Sequence, residues 1–449
     1  MSFLDKFRNR HFLSLLGTGS MAVVGVVQAG LLYRHLSLAD MGCWVFFLTV
    51  FGLIDTFRTG FLSTALIKFY AGTEGQRAKE VIGSVWYLGI VITSVLIAIN
   101  ILAFFLLGFI HNEAIAVCIK WFGITFLFTL PLSIASWIMG ADQQFGKLLI
   151  QRVLNQGSII LFIVILIFTG HINLQTVLMA NLAGCVITSI VCFAARWTRF
   201  RTLFSRSKAS ILEVYHFGKY SVGTSISTNL LRSSDSFIIT FMLGPAALAV
   251  YSIPMRLMAI IEIPLTSFLA TGMPEMSAAF NQNRIKDVGI IMQKYAGMLT
   301  MALIPVSLVG IALAPMAVGI LSGSKYIGTH EGMLAATALR IFLTFAMFYP
   351  IDRFIGVSLD IVHQPKANFI KVLLMLAANI IGDFSGILIF HNVDGVALAT
   401  LLPFLVGVGY GYYRLRKYLD FSIGGIFKTG YTEVRLLLQQ YTNKKKLVP

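Results

Sequence analysis

Residues 42–66 read GCWVFFLTVFGLIDTFRTGFLSTAL, and only Asp55 and Arg58 are charged in this run. A helix of about twenty apolar residues can cross the roughly 30 Å hydrocarbon core of a bilayer. A single charge left against lipid at the bilayer centre costs about 2.5–3.5 kcal/mol on insertion scales. The run therefore predicts a transmembrane helix whose two charges face protein or water.

Runs of this kind recur along the whole chain of 449 residues, of which 57% are hydrophobic and 12% charged, with a mean hydropathy of +0.82. Within lipid, a helix satisfies its own backbone hydrogen bonds. We therefore predict an all-α integral membrane protein with about twelve transmembrane helices. The predicted spans are residues 11–33, 42–66, 81–108, 114–140, 146–169, 173–195, 214–242, 246–272, 289–321, 333–359, 367–390 and 395–413.

Lysine and arginine are unevenly distributed between the two sides of these spans. Segments assigned to the inside hold 27 of the 35, those outside hold only Arg34 and Lys325, and six are assigned to spans. The positive-inside rule then predicts that both termini are cytoplasmic. Because a long apolar run without a cleavage site follows the basic start, we expect a retained first helix. The formal charge of +16 marks the side next to anionic lipid, and no nucleic acid is expected as a partner.

The longest internal connection, about residues 196–220, follows the sixth span and divides the chain into two halves. An offset of 207 residues places Asp55 on Glu262 and Trp44 on Tyr251. Six spans per half is an even number, which predicts two parallel six-helix lobes with a cavity between them. The predicted divisions are an N-terminal lobe at 1–205, a C-terminal lobe at 206–416 and a basic cytoplasmic tail at 417–449. The tail sequence fits a helix on the membrane surface and a solvated extension equally well.

Twelve charged residues fall inside or at the end of predicted spans. If all of them faced lipid, the summed cost would be on the order of 30–40 kcal/mol, so most must face protein or water. They are Asp55, Arg58, Lys120, Arg232, Asp235, Arg256, Glu262, Arg340, Asp352, Arg353, Asp360 and Asp383. Such residues in membrane proteins mark substrate or ion paths, or structural ion pairs.

Spacing separates these two interpretations only in part. Asp55 and Arg58, like Arg232 and Asp235, are three residues apart and share a helix face, so each pair fits a structural role as well as a functional one. Arg256 has no acid on its own helix within a turn. The predicted substrate-binding residues are Arg58, Arg256, Arg232, Arg340, Arg353 and Lys120. The predicted ion-coupling or structural acids are Asp55, Glu262, Asp235, Asp352 and Asp383.

Prolines are concentrated in the C-terminal half. Pro254 and Pro264 bracket Arg256 and Glu262, and Pro305, Pro315 and Pro350 fall within spans nine and ten. Proline removes a helical hydrogen bond and kinks a helix, so we expect the C-terminal helices to bend more.

The sequence contains no recognisable catalytic motif. No Walker motif, HExxH or nucleophile elbow is found. The four cysteines lie in apolar runs without CxxC spacing, which favours a packing role over a disulfide or a metal site. We therefore expect no enzyme activity, no cofactor and no metal.

Two stretches resemble a known family. Residues 38–71, LADMGCWVFFLTVFGLIDTFRTGFLSTALIKFYA, resemble the second-helix region of polysaccharide flippases in the multidrug/oligosaccharidyl-lipid/polysaccharide exporter (MOP) superfamily. Residues 217–257, FGKYSVGTSISTNLLRSSDSFIITFMLGPAALAVYSIPMRL, resemble the opening of their second half. In that family an Asp on the seventh helix precedes a short turn and an Arg on the eighth helix, which here are Asp235 and Arg256.

The resemblance implies MATE-like lobes, alternating access and a substrate. That substrate is an undecaprenyl-diphosphate-linked oligosaccharide, flipped from the inner to the outer leaflet of a bacterial inner membrane. The implied partners are this molecule, the membrane lipids and the polysaccharide polymerase machinery, and the coupling ion is left open between H⁺ and Na⁺. Two alternatives are a cation-coupled multidrug exporter of the same superfamily and a membrane polymerase or ligase. Residues 11–33 contain no acid, which counts against the exporter, and short outer loops count against the enzyme.

This resemblance leads to a hypothesis for the opening stretch. Asp55 would hold Arg58 toward the cavity in the inner half of the membrane, where Arg58 would meet the phosphate of an incoming headgroup. The double change Asp55→Leu/Arg58→Leu would then leave a stable but inactive protein.

Overall fold

The computed structural model describes residues 10–445, apart from the side chains of residues 10–20, 22, 220, 224, 325, 437, 438 and 440–445. All regular secondary structure in this range is helical. The chain divides into two compact units, Met1–Ala249 and Val250–Pro449. The predicted all-α architecture is thus confirmed.

Seven helices lie within the first unit. They are α1 (Arg10–His35), α2 (Leu38–Tyr70), α3 (Gly75–Phe105), α4 (Glu113–Ala141), α5 (Phe145–Phe168), α6 (Leu174–Ala194) and α7 (Lys208–Met242). The next helix, α8 (Pro245–Asn281), begins in the first unit and continues in the second. The remaining helices are α9 (Ile285–Ala312), α10 (Ala314–Ser322), α11 (His330–Ala346), α12 (Tyr349–Ile361), α13 (Pro365–Phe390), α14 (Val393–Ala399), α15 (Leu401–Leu415) and α16 (Ile423–Lys445).

Every predicted span coincides with one or two of these helices. Within the described residues, nine helical stretches are long and apolar enough to cross a membrane, or ten if the bent pair α11–α12 counts as one span. The two other predicted spans fall on α1, most of whose side chains are outside the described set, and on α7. The middle of α7 is rich in serine and also holds Arg232 and Asp235, which makes this helix more polar than the others.

Helix starts follow local capping chemistry. The Ser37 hydroxyl accepts a hydrogen bond from the Asp40 amide at 3.0 Å and begins α2. Asn112 and Asn173 cap α4 and α6 in the same way. These side chains satisfy amides that the first helical turn leaves without a partner.

The second unit contains the breaks expected from its prolines. α9 ends at Ala312 and α10 begins two residues later, with Pro315 in its first turn. α11 and α12 meet at a 50° bend, with Pro350 in the first turn of α12. Pro305, by contrast, lies inside α9 without interrupting it. Proline fits the first turn of a helix, where its missing N–H is not needed.

In the first unit, α2 lies at the centre of the apolar core. Its residues Leu62 and Leu66 pack in one buried cluster with Trp86 of α3, Ile134 of α4 and Val214 of α7. Helix α7 thereby belongs by its contacts to the first unit. The predicted lobe boundary at 205/206 was inferred from the 207-residue repeat, whereas the division into two units reflects contacts within each unit. The lobe boundary therefore stays a prediction.

The connection after α6 folds back onto the first unit. Trp86 Nε1 donates a hydrogen bond to the Thr198 carbonyl at 2.9 Å. Arg199 Nη2 pairs with Asp142 Oδ2 at 2.6 Å, and its Nη1 donates to the Tyr70 hydroxyl, which itself donates to Asp142 Oδ1 at 2.6 Å. This network ties residues 198–199 to the ends of α2 and α4.

The C-terminal segment forms the helix α16, packed on α9. An added Cβ at Gly297 of α9 would lie 2.2 Å from the Ile426 carbonyl oxygen and 2.8 Å from the Gly430 Cα. Ile426 is buried, and Lys294 Nζ lies 3.6 Å from Glu433 Oε2. The tail is therefore helical, and its predicted position on the membrane surface stays a prediction.

The close approach of α9 and α16 leads to a stability prediction. Gly430→Ala is expected to destabilise the protein by about 1–3 kcal/mol, because the two backbones must separate to admit a methyl group. Gly424→Ala, on the same helix with nothing within 4 Å of its added Cβ, is the matched control and is expected to be neutral or slightly stabilising. Thermal unfolding in detergent measures both; equal unfolding temperatures for the two variants would contradict the prediction.

Candidate functional site

The charges of the opening stretch form an ion pair inside the first unit. Arg58 Nη2 lies 2.5 Å from Asp55 Oδ1, one turn earlier on α2. The Thr59 hydroxyl donates a hydrogen bond to the other carboxylate oxygen at 3.2 Å. The Arg58 side chain is 0% exposed, whereas that of Asp55 is 26% exposed. Asp55 thus lies at the rim of a site whose centre is Arg58.

Arg58 is held by groups from two neighbouring helices. Its Nη2 donates to the Thr129 hydroxyl at 3.0 Å, and its Nη1 donates to the Phe126 carbonyl at 3.1 Å. Its guanidinium carbon lies 4.0 Å from the centroid of the Phe126 ring, within cation–π distance. Longer contacts reach the hydroxyls of Thr93 and Ser133. The side chain is fully enclosed by α2, α3 and α4.

This enclosure corrects the hypothesis that Arg58 faces a cavity. The expected pairing with Asp55 is present, but the guanidinium is buried among polar groups of its own unit, because hydroxyls on α3 and α4 can compensate a charge there. In this structure Arg58 cannot meet a phosphate without leaving that environment. A substrate contact by Arg58 stays a prediction, and the geometry favours a structural role.

A second ion pair lies inside the second unit. Lys371 Nζ of α13 lies 2.6 Å from Asp352 Oδ1 of α12, with side-chain exposures of 4% and 14%. The ammonium also donates a hydrogen bond to the Asp352 carbonyl oxygen at 3.1 Å. An added Cβ at Gly407 of α15 would lie 2.9 Å from the same carboxylate oxygen and 2.7 Å from Met375 Sδ, so these side chains would have to shift to admit it.

Lys371 lies in the predicted span 367–390 but was not among the site residues predicted from the sequence. Helices α12 and α13 form a hairpin across a three-residue turn. Asp352 lies nine residues before the end of α12 and Lys371 six residues after the start of α13, about 14 Å and about 9 Å along their helices at a rise of 1.5 Å per residue. The lysine side chain bridges this difference. An acid and a base at roughly similar distances on either side of a predicted tight turn are the signal that could have identified the pair.

The other predicted site residues differ in burial. Arg256 and Glu262 of α8 are half-buried, as is Asp235 of α7. Asp383 is buried and accepts a hydrogen bond from Asn379 at 3.0 Å. The exposed members of the set are Arg232, Arg340, Arg353, Lys120 and Asp360.

Arg232 and Asp235, one turn apart on α7, differ in exposure. Arg232 is exposed, whereas Asp235 is half-buried. Arg340 donates a hydrogen bond from Nε to the Ile311 carbonyl at 3.3 Å. Lys120 lines a cavity of about 330 Å³, together with Asp40, Trp121 and Asn173. Of the predicted site residues in the first unit, the structure joins Arg58 to Asp55.

No metal-type constellation accompanies these charges. Over the described part of the chain, no group of three or more His, Cys, Asp or Glu side chains could hold an ion. The four cysteines are free and buried. Each of the two ion pairs allows charged side chains to lie within apolar helices, because each charge is compensated by its partner.

These features define an all-α, multi-pass membrane protein with an ion pair inside each of its helical units. A model of the family described as "Polysaccharide biosynthesis protein" matches residues 8–280, more than half of the chain. The chain belongs to this family, which confirms the resemblance inferred from residues 38–71 and 217–257. No curated protein sequence matches the chain.

Several solved structures share the fold. The lipid II flippase MurJ in an inward closed conformation is 16% identical over 95% of this chain and 92% of that chain, with a TM-score of 0.74. An inward-facing multidrug resistance MATE family transporter of the MOP superfamily is 16% identical over 88% and 94%, with a TM-score of 0.68. A MOP superfamily transporter from Pyrococcus furiosus is 15% identical over 90% and 95%, with a TM-score of 0.62. The chain therefore has the MurJ- and MATE-like fold.

Proposed function

We propose that the protein flips undecaprenyl-diphosphate-linked oligosaccharide units across a bacterial inner membrane. The transport runs from the inner to the outer leaflet by alternating access and supplies a surface polysaccharide such as O-antigen or capsule. The observation that carries the proposal is the polysaccharide biosynthesis family match in a chain made almost wholly of apolar helices. Under this proposal the protein is a transporter and not an enzyme, with both termini in the cytoplasm.

The chemistry of the substrate explains the need for arginine. A diphosphate cannot cross hydrocarbon without polar partners, and a guanidinium binds phosphate oxygens in bidentate fashion while remaining charged. Arg256 is half-buried in α8, and no acid lies within ion-pair distance of it among the described residues. We propose Arg256 as the principal phosphate ligand, with Arg232, Arg340, Arg353 and Lys120 as further contacts.

Coupling and partners complete the proposal. Half-buried acids such as Glu262 and Asp235 are the candidates to bind a coupling ion, H⁺ or Na⁺. The polysaccharide polymerase machinery is the partner that would receive the flipped unit. A lipid tail needs no polar path, because it can remain in the bilayer throughout.

Arg256→Ala is expected to lower transport about 10- to 100-fold, since hydrogen bonds to charged groups contribute about 1.5–3 kcal/mol. Arg256→Lys should restore little of it, because an ammonium lacks the planar fork. The measurements are surface polysaccharide and accumulated lipid-linked oligosaccharide in a deletion strain that expresses each variant. Lys286→Ala, which removes an exposed charge, is the control and should transport normally.

Two outcomes would refute these assignments. Normal surface polysaccharide with Arg256→Ala would exclude the phosphate-binding role. A deletion strain that accumulates no lipid-linked oligosaccharide would exclude the function itself.

Multidrug export is the second candidate, and the similarity to the MATE family transporter supports it. Residues 10–35 of α1 contain no acid to bind a coupling cation in that helix. We therefore expect deletion of the gene to leave drug sensitivity unchanged while surface polysaccharide is lost.

A further inference from the structure

A cavity of about 800 Å³ opens in the first unit, where α2 ends, α3 begins and α6 ends. Helices that alternate in direction bring these three termini to one side of the unit, the side predicted to be cytoplasmic. Its apolar lining includes Ile82, Phe193 and Phe200, and the two phenylalanines are 41% and 37% exposed. The charged residues that line it are Lys79, Arg196, Arg199, Arg201 and Glu74.

Positive charge predominates in this cavity. Four basic side chains line it against the single carboxylate of Glu74. Arg199 is compensated by Asp142 at 2.6 Å. Among the described residues, Lys79, Arg196 and Arg201 form no ion pair, so their charges are available to an anion.

The backbone around the cavity is held in an unusual conformation. Arg196 and Arg199 have φ angles of +58° and +45°, in the left-handed region that long side chains rarely adopt. Such a conformation persists only where surrounding contacts maintain it. Here Trp86 bonds the Thr198 carbonyl between them, and Asp142 holds Arg199. The arginines are thus presented by a fixed turn.

We propose that this cavity binds the phosphate headgroup of an anionic membrane phospholipid that is not itself transported. The positive charges of the arginine and lysine side chains would attract a phosphate, and the exposed rings of Phe193 and Phe200 would pack against the acyl chains beside it. Basic cavities at the ends of transmembrane helices suit anionic lipid in the adjacent leaflet. The bound lipid would fix the connection after α6 against the helix ends.

The test measures lipid retention by the full-length protein with native mass spectrometry in detergent. The probes are phosphatidylglycerol, phosphatidylcholine with the same acyl chains, and undecaprenyl diphosphate. Arg196→Gln/Arg201→Gln removes two charges and leaves a shorter, neutral side chain that is still polar at each position. The matched control, Lys286→Gln/Lys366→Gln, removes two exposed charges elsewhere. Size-exclusion profiles and unfolding temperatures verify that both variants fold.

Each arginine near anionic lipid contributes a factor of about five, so the arginine variant should bind phosphatidylglycerol about 25-fold more weakly. The control should bind it as the original protein does, and phosphatidylcholine retention should be weak and unchanged in both. Arg196→Lys/Arg201→Lys should retain most of the binding. Equal phosphatidylglycerol binding by the arginine and control variants would overturn the proposal. A loss confined to undecaprenyl diphosphate would assign the cavity to the transported lipid and overturn it as well.

Discussion

Asp55→Leu is expected to destabilise the protein by about 3–5 kcal/mol, because it leaves the buried charge of Arg58 without its counter-ion. Arg58→Met should cost less, since the Asp55 carboxylate that it leaves is about a quarter exposed and can draw on solvent. The double variant Asp55→Leu/Arg58→Met should recover most of the loss, because no unpaired charge remains and Thr129 still bonds the Phe126 carbonyl. Thermal unfolding in detergent, compared across all four proteins, measures the coupling.

The same variants test what the pair does in transport. Because Arg58 is enclosed within its own unit, we now expect the double variant to sustain surface polysaccharide, contrary to the hypothesis formed from the sequence. A stable but inactive double variant would reinstate that hypothesis. If Asp55→Leu unfolds at the temperature of the original protein, the electrostatic account of the site is wrong.

Lys371→Met is expected to destabilise the protein by about 3–5 kcal/mol, and Asp352→Leu by a similar amount. The two effects should be alike here because both side chains are nearly enclosed, unlike Asp55 and Arg58. The double variant should again recover most of the loss, so a double-mutant cycle should show strong coupling. Unfolding in detergent is the measurement.

Lys366→Met is the control for this pair. It removes a lysine from the first turn of the same helix, where the side chain is exposed, and should change stability by less than about 0.5 kcal/mol. Additive effects of the two single changes at 352 and 371 would show that the observed contact carries no energy.

The sequence predicts those features of the fold that depend on neighbouring residues in the chain. Apolar length identified the helices, and the prolines at 315 and 350 marked the interruption between α9 and α10 and the bend between α11 and α12. The pairing of Asp55 with Arg58 followed from their separation of one turn. Each of these inferences uses a single helix and needs no knowledge of its neighbours.

Features that depend on contacts between helices were missed. The depth of Arg58 is determined by hydroxyls of Thr129 and Thr93, and threonine is too common in such helices to single out these two. Lys371 looked like a residue of the helix end because its partner belongs to another helix. The offset of 207 residues places Leu265, which is buried and apolar, on Arg58, so the repeat did not indicate a second charged site.

The two ion pairs differ in when their partners become available as the chain is synthesised and inserted into the membrane. Asp55 and Arg58 lie one turn apart on α2, so each charge already has its partner when that helix alone enters the bilayer. Asp352 enters with α12, but Lys371 follows only after the next turn of the chain has been synthesised. An aspartate without its lysine opposes insertion by about 2.5–3.5 kcal/mol. We therefore expect helices α12 and α13 to enter the membrane together as a hairpin, whereas α2 can enter by itself.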